Sequence, residues 1–209
     1  MTLDKFRHVA DRFLEPFVTA ADRVGLTPDG VSIIAFGFAV LAGIAYALVG
    51  HAVGPIEPTP LLYAAGAAFV FLNGWMDLLD GSLARRQGVA SKAGDLLDHV
   101  LDRYADIVII AGLAAGTTQY LLGLLAITGV LMTSYLGTQA QAVGLDRVYG
   151  GLVGRADRLA IIGIVTLVAA FYTSALYGLT LVGWLLVFFA VVGHFTALQR
   201  FYYAMAALD

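Results

Sequence analysis

Long, uninterrupted apolar runs alternate with short polar segments along most of the chain. Because a helix rises about 1.5 Å per residue and the hydrocarbon core of a bilayer is about 30 Å thick, a membrane span needs roughly 20 apolar residues. The runs predict six transmembrane helices, at about 31–49, 61–79, 95–115, 120–143, 159–172 and 176–202. A polar loop is expected over 81–94, between the second and third spans. We therefore predict an all-α integral membrane protein, with residues 1–209 forming a single membrane domain.

The first segment, 3–24, has a different pattern, in which apolar and charged positions alternate at near-helical spacing. Its apolar positions are Leu3, Phe6, Val9, Phe13 and Phe17. This pattern predicts an amphipathic helix that lies in the membrane interface before the first span, with a solvent-exposed helix as the alternative. The sequence Leu26-Thr27-Pro28-Asp29 that follows is typical of a helix start, with Thr27 as the cap and Pro28 in the first turn.

Composition strengthens the membrane assignment. Hydrophobic residues make up 60% of the chain and the mean hydropathy is +0.84, whereas soluble domains are roughly 45–50% apolar. The chain contains no cysteine, which excludes a disulfide framework and a thiolate site. The first thirty residues lack a short apolar core before a small-residue cleavage site, so we do not expect a cleaved signal peptide.

The basic residues give an independent test of the layout, because loops on the cytoplasmic side of a membrane collect Lys and Arg. With six spans and both termini on one side, all 12 basic residues fall in segments on that side, and the three opposite loops hold none. These residues are Lys5, Arg7, Arg12, Arg23, Arg85, Arg86, Lys92, Arg103, Arg147, Arg155, Arg158 and Arg200. The charges predict a multi-pass protein of the cell membrane with both termini in the cytoplasm.

Four aspartates stand at the cytoplasmic ends of the second and third spans. Asp77 and Asp80 are three residues apart and Asp98 and Asp102 are four apart, so each pair shares a helix face. If the two helices are neighbours, four carboxylates converge and require a counter-charge. Oxygen ligands suit Mg²⁺, Mn²⁺ or Ca²⁺, whereas zinc favours His or Cys. A two-metal carboxylate site, which suits substitution at phosphorus, is the favoured interpretation; helix-end acids neutralised by nearby arginines are the alternative.

The aspartates belong to a longer pattern, Asp77-x-x-Asp80-Gly81-x-x-Ala84-Arg85, eight residues, then Gly94-x-x-x-Asp98-x-x-x-Asp102. This pattern resembles the complete signature of the CDP-alcohol phosphotransferase family. The resemblance implies an enzyme of phospholipid synthesis that transfers a lipid phosphate from a CDP-linked lipid to an alcohol and releases CMP. It also implies a homodimer and dependence on Mg²⁺ or Mn²⁺.

The same resemblance assigns roles to individual residues. Asp77, Asp80 and Asp98 are expected to bind two metal ions, and Asp102 is expected both to bind metal and to act as the general base. A further set is expected to contact the CDP-lipid: Asp29, Gly30, Val31, Ser32, Gly81, Ala84, Arg85 and Ser91.

The acceptor alcohol is less clearly indicated. The chain is similar to archaeal and actinobacterial inositol-phosphate lipid synthases of the family in Gly25-Leu26-Thr27-Pro28-Asp29, Ser134-Tyr135 and Arg155-x-x-Arg158-Leu159. We therefore expect inositol 1-phosphate as the acceptor, bound by Arg155, Arg158 and Arg200, although these arginines also fit the positive-inside rule. The chain departs from those synthases at Gly137, Thr138 and Gln139, where they typically have Lys and Arg. Glycerol 3-phosphate and serine stay open as acceptors, and archaeol and diacylglycerol as donor lipids.

Two other classes of protein also use clustered aspartates. Prenyl-diphosphate synthases pair adjacent aspartates, but Met76 precedes Asp77 here. A cation transporter would use carboxylates near the membrane midplane, whereas these lie at helix ends. A transporter also gives no reason for Gly81, Ala84 and Arg85 at fixed spacing.

Overall fold

The computed structural model describes residues 7–52, 57–145 and 153–208. These residues form seven helices: α1 (Arg7–Arg23), α2 (Pro28–Leu48), α3 (Leu61–Gln87), α4 (Lys92–Gly116), α5 (Tyr120–Ala142), α6 (Arg155–Ala169) and α7 (Leu181–Leu208). The all-α prediction is confirmed, and α2 to α7 follow the predicted spans in order. Residues 3–6 of the predicted N-terminal helix, together with Arg147, lie outside the described residues.

The start of α2 forms as its sequence predicts. Thr27 has an extended backbone, its side chain accepts a hydrogen bond from the backbone N–H of Gly30 at 3.1 Å, and Pro28 is the first helical residue. Proline is favoured at this position because the missing N–H would have no partner within the helix. The cap therefore fixes where α2 begins.

The predicted loop over 81–94 is wrong for most of its length. Helix α3 continues to Gln87 and ends where Gly88 adopts a left-handed backbone, φ 64°. Leu79 and Leu83 are buried against Leu14 and Val18 of α1, so the apolar face of α3 extends past the aspartates. The connection is limited to 88–91, where the Ser91 side chain caps α4 by accepting from the N–H of Gly94.

Helix α2 connects the two helices that carry the aspartates. It packs on both α3 and α4, whereas the backbones of α3 and α4 are not in contact among the described residues. The α2 and α4 backbones cross closely, since a Cβ atom added to Gly112 would lie 2.2 Å from the carbonyl oxygen of Gly43. Helix α6 packs on α3, and α5 packs on α4 and α7. The ends of α3 and α4 that carry the aspartates are thus held together through α2.

Four of the described helices, α2, α3, α5 and α7, are long and apolar enough to cross a membrane. Helix α6 has 15 residues. Helix α4 carries charged residues from its start to beyond its middle, at Lys92, Asp95, Asp98, Asp102, Arg103 and Asp106. Length and composition therefore support four of the six predicted spans.

Helix α1 forms within the predicted segment, but its buried face is not the predicted set of apolar positions. Leu14, Val18 and Ala21 are buried against the bundle, whereas Phe13 and Phe17 are exposed. Arg86 at the end of α3 reaches Glu15 at 2.9 Å and Asp22 at 3.6 Å on α1. The apolar face and these ion pairs attach α1 to the same end of α3 as the aspartates.

Candidate active site

The structure brings three of the four signature aspartates together. One carboxylate oxygen from each of Asp77, Asp98 and Asp102 lies within 4.8 Å of the other two. Asp77 comes from α3, and the other two come from successive turns of α4. All three side chains are partly buried. The convergence predicted from spacing is confirmed for this set.

The fourth aspartate, Asp80, has a different environment. It is 7% exposed, and the Ser32 hydroxyl of α2 donates to its Oδ2 at 2.7 Å. Ser32, which we expected to contact the nucleotide, thus holds one oxygen of Asp80. Neither residue type nor spacing indicated this pairing.

Arg155, the first residue of α6, contacts two of the clustered aspartates. Its Nη1 lies 2.7 Å from Asp77 Oδ1 and its Nη2 lies 2.7 Å from Asp102 Oδ1, so one guanidinium bridges α3 and α4. The remaining nitrogen, Nε, is buried and has no hydrogen-bond partner among the described residues. Burial alone would lower the pKa of Arg155, but Asp77, Asp102 and Asp106 outweigh it and raise that pKa above its ordinary value. The guanidinium is therefore charged.

The cluster fits a divalent cation with oxygen ligands. Its donors are carboxylate oxygens from three side chains, the ligand type that Mg²⁺ and Mn²⁺ prefer. Among the described residues this group contains neither His nor Cys, the ligands that zinc favours. The residues present are thus suited to the Mg²⁺ or Mn²⁺ expected from the sequence.

A second charged group lies behind the cluster. Arg158 and Asp106 form a buried pair, with Arg158 Nε donating to Asp106 Oδ1 at 3.1 Å. Arg103 lies between the two groups, 3.7 Å from Asp102 and 3.8 Å from Asp106, and also donates to the Ser134 hydroxyl of α5. The four-residue spacing already placed Asp106 on the helix face of Asp98 and Asp102 as a possible supporting residue, but its pairing with Arg158 was not predicted.

The three arginines expected to bind the acceptor occupy different positions. Arg155 lies at the carboxylates, and Arg158 is held by Asp106. Arg200 is buried and donates to the backbone carbonyl of Thr133 at 2.6 Å. One of the three is therefore in direct contact with the aspartate cluster.

The residues expected to contact the CDP-lipid lie at the same end of the bundle. Gly81 and Ala84 share a face of α3 with Asp77 and Asp80, by their spacing. Asp29, exposed at the start of α2, lies beside Gly94 of α4, because a Cβ at Gly94 would be 3.2 Å from Asp29 Oδ1. The others are placed as follows: Gly30 in the α2 cap, Val31 and Ser32 buried, Arg85 exposed with a bond to Ser82, and Ser91 exposed as the α4 cap.

With this geometry in place, comparison with known proteins identifies the class. The chain belongs to the CDP-alcohol phosphatidyltransferase family, whose model matches residues 26–196. It is therefore a metal-dependent transferase of phospholipid synthesis, as the signature predicted.

Two relatives of this chain are synthases of inositol-phosphate lipids. The chain is 33% identical to archaetidylinositol phosphate synthase of Methanothermobacter thermautotrophicus, covering 99% of this chain and 95% of the relative. It is 32% identical to phosphatidylinositol phosphate synthase of Mycobacteroides abscessus, covering 75% of this chain and 69% of the relative.

Solved structures agree with the sequence relatives. The crystal structure of phosphatidylinositol phosphate synthase of Mycobacterium tuberculosis with CDP-DAG bound has a TM-score of 0.76 and 26% identity, covering 92% of this chain and 94% of that one. The structure of the same enzyme with manganese and citrate also has a TM-score of 0.76 and 26% identity, covering 91% and 88%.

Proposed function

We propose that this enzyme transfers a lipid phosphate from a CDP-linked lipid to inositol 1-phosphate and releases CMP. The observation that carries the proposal is the convergence of carboxylate oxygens from Asp77, Asp98 and Asp102 within 4.8 Å, beside the charged guanidinium of Arg155. Such a site can gather both metal and phosphate at one point. The names of the relatives support inositol phosphate as acceptor, and they leave archaeol and diacylglycerol as the candidate lipids.

Asp102 is the proposed general base. Its carboxylate takes the proton of the acceptor hydroxyl while the hydroxyl oxygen forms a bond to the phosphorus that carries the lipid. The bond from that phosphorus to the CMP phosphate breaks, and its electron pair leaves with CMP. Divalent cations held by Asp77, Asp80, Asp98 and Asp102 would neutralise the pyrophosphate oxygens.

The start of α2 and the last turns of α3 are the proposed CDP-lipid site. Gly81 and Ala84 present little side-chain bulk on the face that carries Asp77 and Asp80, which lets a ligand approach the helix closely. Arg85 and the Asp29 to Ser32 segment would flank the nucleotide, and Ser91 would complete the site from the start of α4. Ser32 would act partly through its hydrogen bond to Asp80.

The anionic acceptor would meet the cations that adjoin Asp102. Arg155 is the proposed direct contact, because Nε is a buried donor that the described residues leave without a partner. Arg158 and Arg200 would contribute positive charge from deeper positions, where Asp106 and the Thr133 carbonyl hold them. A phosphate group on the acceptor is thus favoured over an uncharged alcohol.

We also propose six membrane crossings, with both termini and the active site in the cytoplasm, α1 in the interface, and a homodimer. What supports the crossing of α4 is that it follows α2 from end to end. Asp29 lies beside Gly94 at one end, and a Cβ on Gly50 would lie 2.4 Å from the Gly116 carbonyl at the other. If α2 crosses the membrane, α4 crosses with it.

The test is CMP release by purified protein in detergent with Mg²⁺ or Mn²⁺. CDP-archaeol and CDP-diacylglycerol would each be offered with inositol 1-phosphate, glycerol 3-phosphate, serine or inositol. We expect metal-dependent CMP release with inositol 1-phosphate and a loss of at least about 100-fold in Asp102→Asn, since a positioned base typically contributes 10²–10⁴-fold.

The matched control is Asp95→Asn, which removes an exposed carboxylate from the same helix two turns from Asp102. It should retain most of the activity. Equal rates of CMP release in Asp102→Asn and Asp95→Asn would show that Asp102 is not the general base. Turnover with glycerol 3-phosphate or serine, and none with inositol 1-phosphate, would reject the proposed acceptor.

A further inference from the structure

Arg155 uses the carboxylate oxygens that also face the metal site. The group within 4.8 Å contains Asp77 and Asp102, and Arg155 lies 2.7 Å from an oxygen of each. Divalent cations bind carboxylate oxygens at about 2.0–2.6 Å and carry twice the charge of a guanidinium. A metal ion and Arg155 are therefore two counter-charges for the same pair of side chains.

The rest of the guanidinium shows an incomplete bonding pattern. An arginine has five N–H donors in a fixed planar fork. In Arg155 the two terminal nitrogens face carboxylates, whereas the buried Nε has no partner among the described residues. A buried donor without a partner is unfavourable, so a placement that satisfied all of the nitrogens would compete with this one. An anion with several oxygens, such as a phosphate, offers that placement.

Arg158 fixes the position from which Arg155 can move. It lies one turn further along α6 and is buried in its pair with Asp106 on α4. The start of α6 is thus tied to α4 by this side-chain pair and packs on α3. The Arg155 side chain can therefore change partners without movement of the helix. The other nearby arginine, Arg103, is more distant from the cluster, at 3.7 Å from Asp102.

We propose that Arg155 is an exchangeable counter-ion of the aspartate cluster. A divalent cation and the guanidinium compete for Asp77 and Asp102, and metal binding releases Arg155 to contact the phosphate of the acceptor. The competition between the metal ion and Arg155 concerns the metal site alone. The contact between Arg155 and the acceptor phosphate rests on the proposed function. The consequence is cooperative binding, in which the metal ion and an anionic acceptor each strengthen the binding of the other.

The first test measures metal affinity without turnover. Mn²⁺ would be titrated into purified protein in detergent, with free Mn²⁺ followed by electron paramagnetic resonance. We expect Arg155→Gln to bind Mn²⁺ at least about tenfold more tightly than the unaltered protein. Arg155→Lys should be intermediate, because one ammonium cannot bridge both carboxylates in the way that the planar fork does.

Arg103→Gln is the matched control, since it removes the same charge from a side chain that also faces Asp102, at a longer distance. It should tighten Mn²⁺ binding less than threefold. Raising the salt to about 0.5 M weakens long-range charge effects, and the difference between Arg155→Gln and Arg103→Gln should persist there. Unchanged or weaker Mn²⁺ binding in Arg155→Gln, in protein that elutes as a single folded species, would overturn the competition.

The second test uses inositol 1-phosphate as the probe in the same Mn²⁺ titration. Because linkage is reciprocal, a phosphate that draws Arg155 away should tighten Mn²⁺ binding in the unaltered protein, and the effect should shrink in Arg155→Gln. An equal effect in both proteins would mean that the phosphate binds the metal directly, and the exchange would be rejected. Such a result leaves the proposed reaction intact, which CMP release tests separately.

Discussion

At the scale of single residues, ion pairs of two kinds occur in this protein, and burial separates them. The side chains of Arg158 and Asp106 are 5% and 2% exposed, whereas those of Arg86 and Glu15 are 36% and 68% exposed. Breaking a buried pair leaves one charge without compensation, whereas an exposed charge is hydrated and screened by salt. The two pairs should therefore differ in what their loss does to stability.

Asp106→Asn tests the buried pair. We expect the free energy of unfolding to fall by about 3–5 kcal/mol, because Arg158 keeps its charge in a buried position. Thermal unfolding in detergent, compared with Glu15→Gln as the exposed control, would measure it. The control should change stability by less than about 1 kcal/mol.

Adding Arg158→Gln to Asp106→Asn should recover part of the loss, since it removes the charge that had been left unpaired. Two results would contradict this account of the buried pair. One is an Asp106→Asn variant as stable as Glu15→Gln, and the other is a further loss of stability when Arg158→Gln is added.

The sequence predicted which aspartates converge but not which residues they pair with. The metal-binding aspartates stand at fixed spacings on helices, and spacing determines which residues share a face. Asp77, Asp98 and Asp102 could therefore be predicted to converge. The partners of Asp80, Asp106 and Arg155 come from elements far apart along the chain, so spacing carried no information about them.

At the scale of helices, the close crossing of α2 and α4 depends on glycine. A Cβ on Gly43 would lie 2.6 Å from the carbonyl oxygen of Val108, and carbonyl oxygens of the backbone cannot move aside as a flexible side chain can. Small residues at helix crossings are typical of membrane proteins, where close packing replaces the hydrophobic effect as the main source of association. The crossing also sets the position of the aspartates on α4.

Gly43→Ala tests the crossing, and Gly37→Ala on the same helix is the control, because a Cβ at Gly37 meets nothing within 4 Å. We expect Gly43→Ala to lower the free energy of unfolding by about 1–3 kcal/mol through overpacking. Gly37→Ala should be neutral or stabilising, since alanine is favoured over glycine in helices by up to about 1 kcal/mol. Equal thermal stability of the two variants would show that α2 and α4 can move apart at the crossing without loss of stability.

The helices themselves were largely predictable, and their ends were not. The Thr27 cap and the apolar runs gave α2 to α7 in the correct order. The end of α3 was missed because the polar signature suggested a loop, whereas Leu79 and Leu83 continue an apolar face that packs on α1. The length of α3 therefore depends on its contact with α1, which the sequence of α3 does not reveal.

At the scale of the whole molecule, helices α4 and α6 both begin at the polar site and run toward the opposite end of the bundle. The polar half of α4 lies at the end that carries Asp77, and its apolar half continues beside α2 to Gly116. A helix of 25 residues is about 37 Å long, enough to cross the hydrocarbon core. Helix α6 likewise runs from Arg155 at the site to Ala169, which adjoins Val49 and Gly116 in a pocket at the opposite end. If α4 and α6 cross the membrane as proposed, composition alone misses them because the site places charged residues on both helices.

The absence of native cysteine makes the topology directly testable. Single cysteines would replace three exposed residues, Val89 before α4, Thr118 after α4 and Ser174 after α6, and a membrane-impermeant maleimide would be applied to intact and to lysed cells. We expect labelling of Thr118→Cys and Ser174→Cys in intact cells and of Val89→Cys after lysis alone. Labelling of Val89→Cys and Thr118→Cys on the same side would mean that α4 does not cross, and the reverse pattern would place the aspartates outside. The expected pattern would put the active site where a nucleotide-activated lipid and a water-soluble phosphate can both reach it.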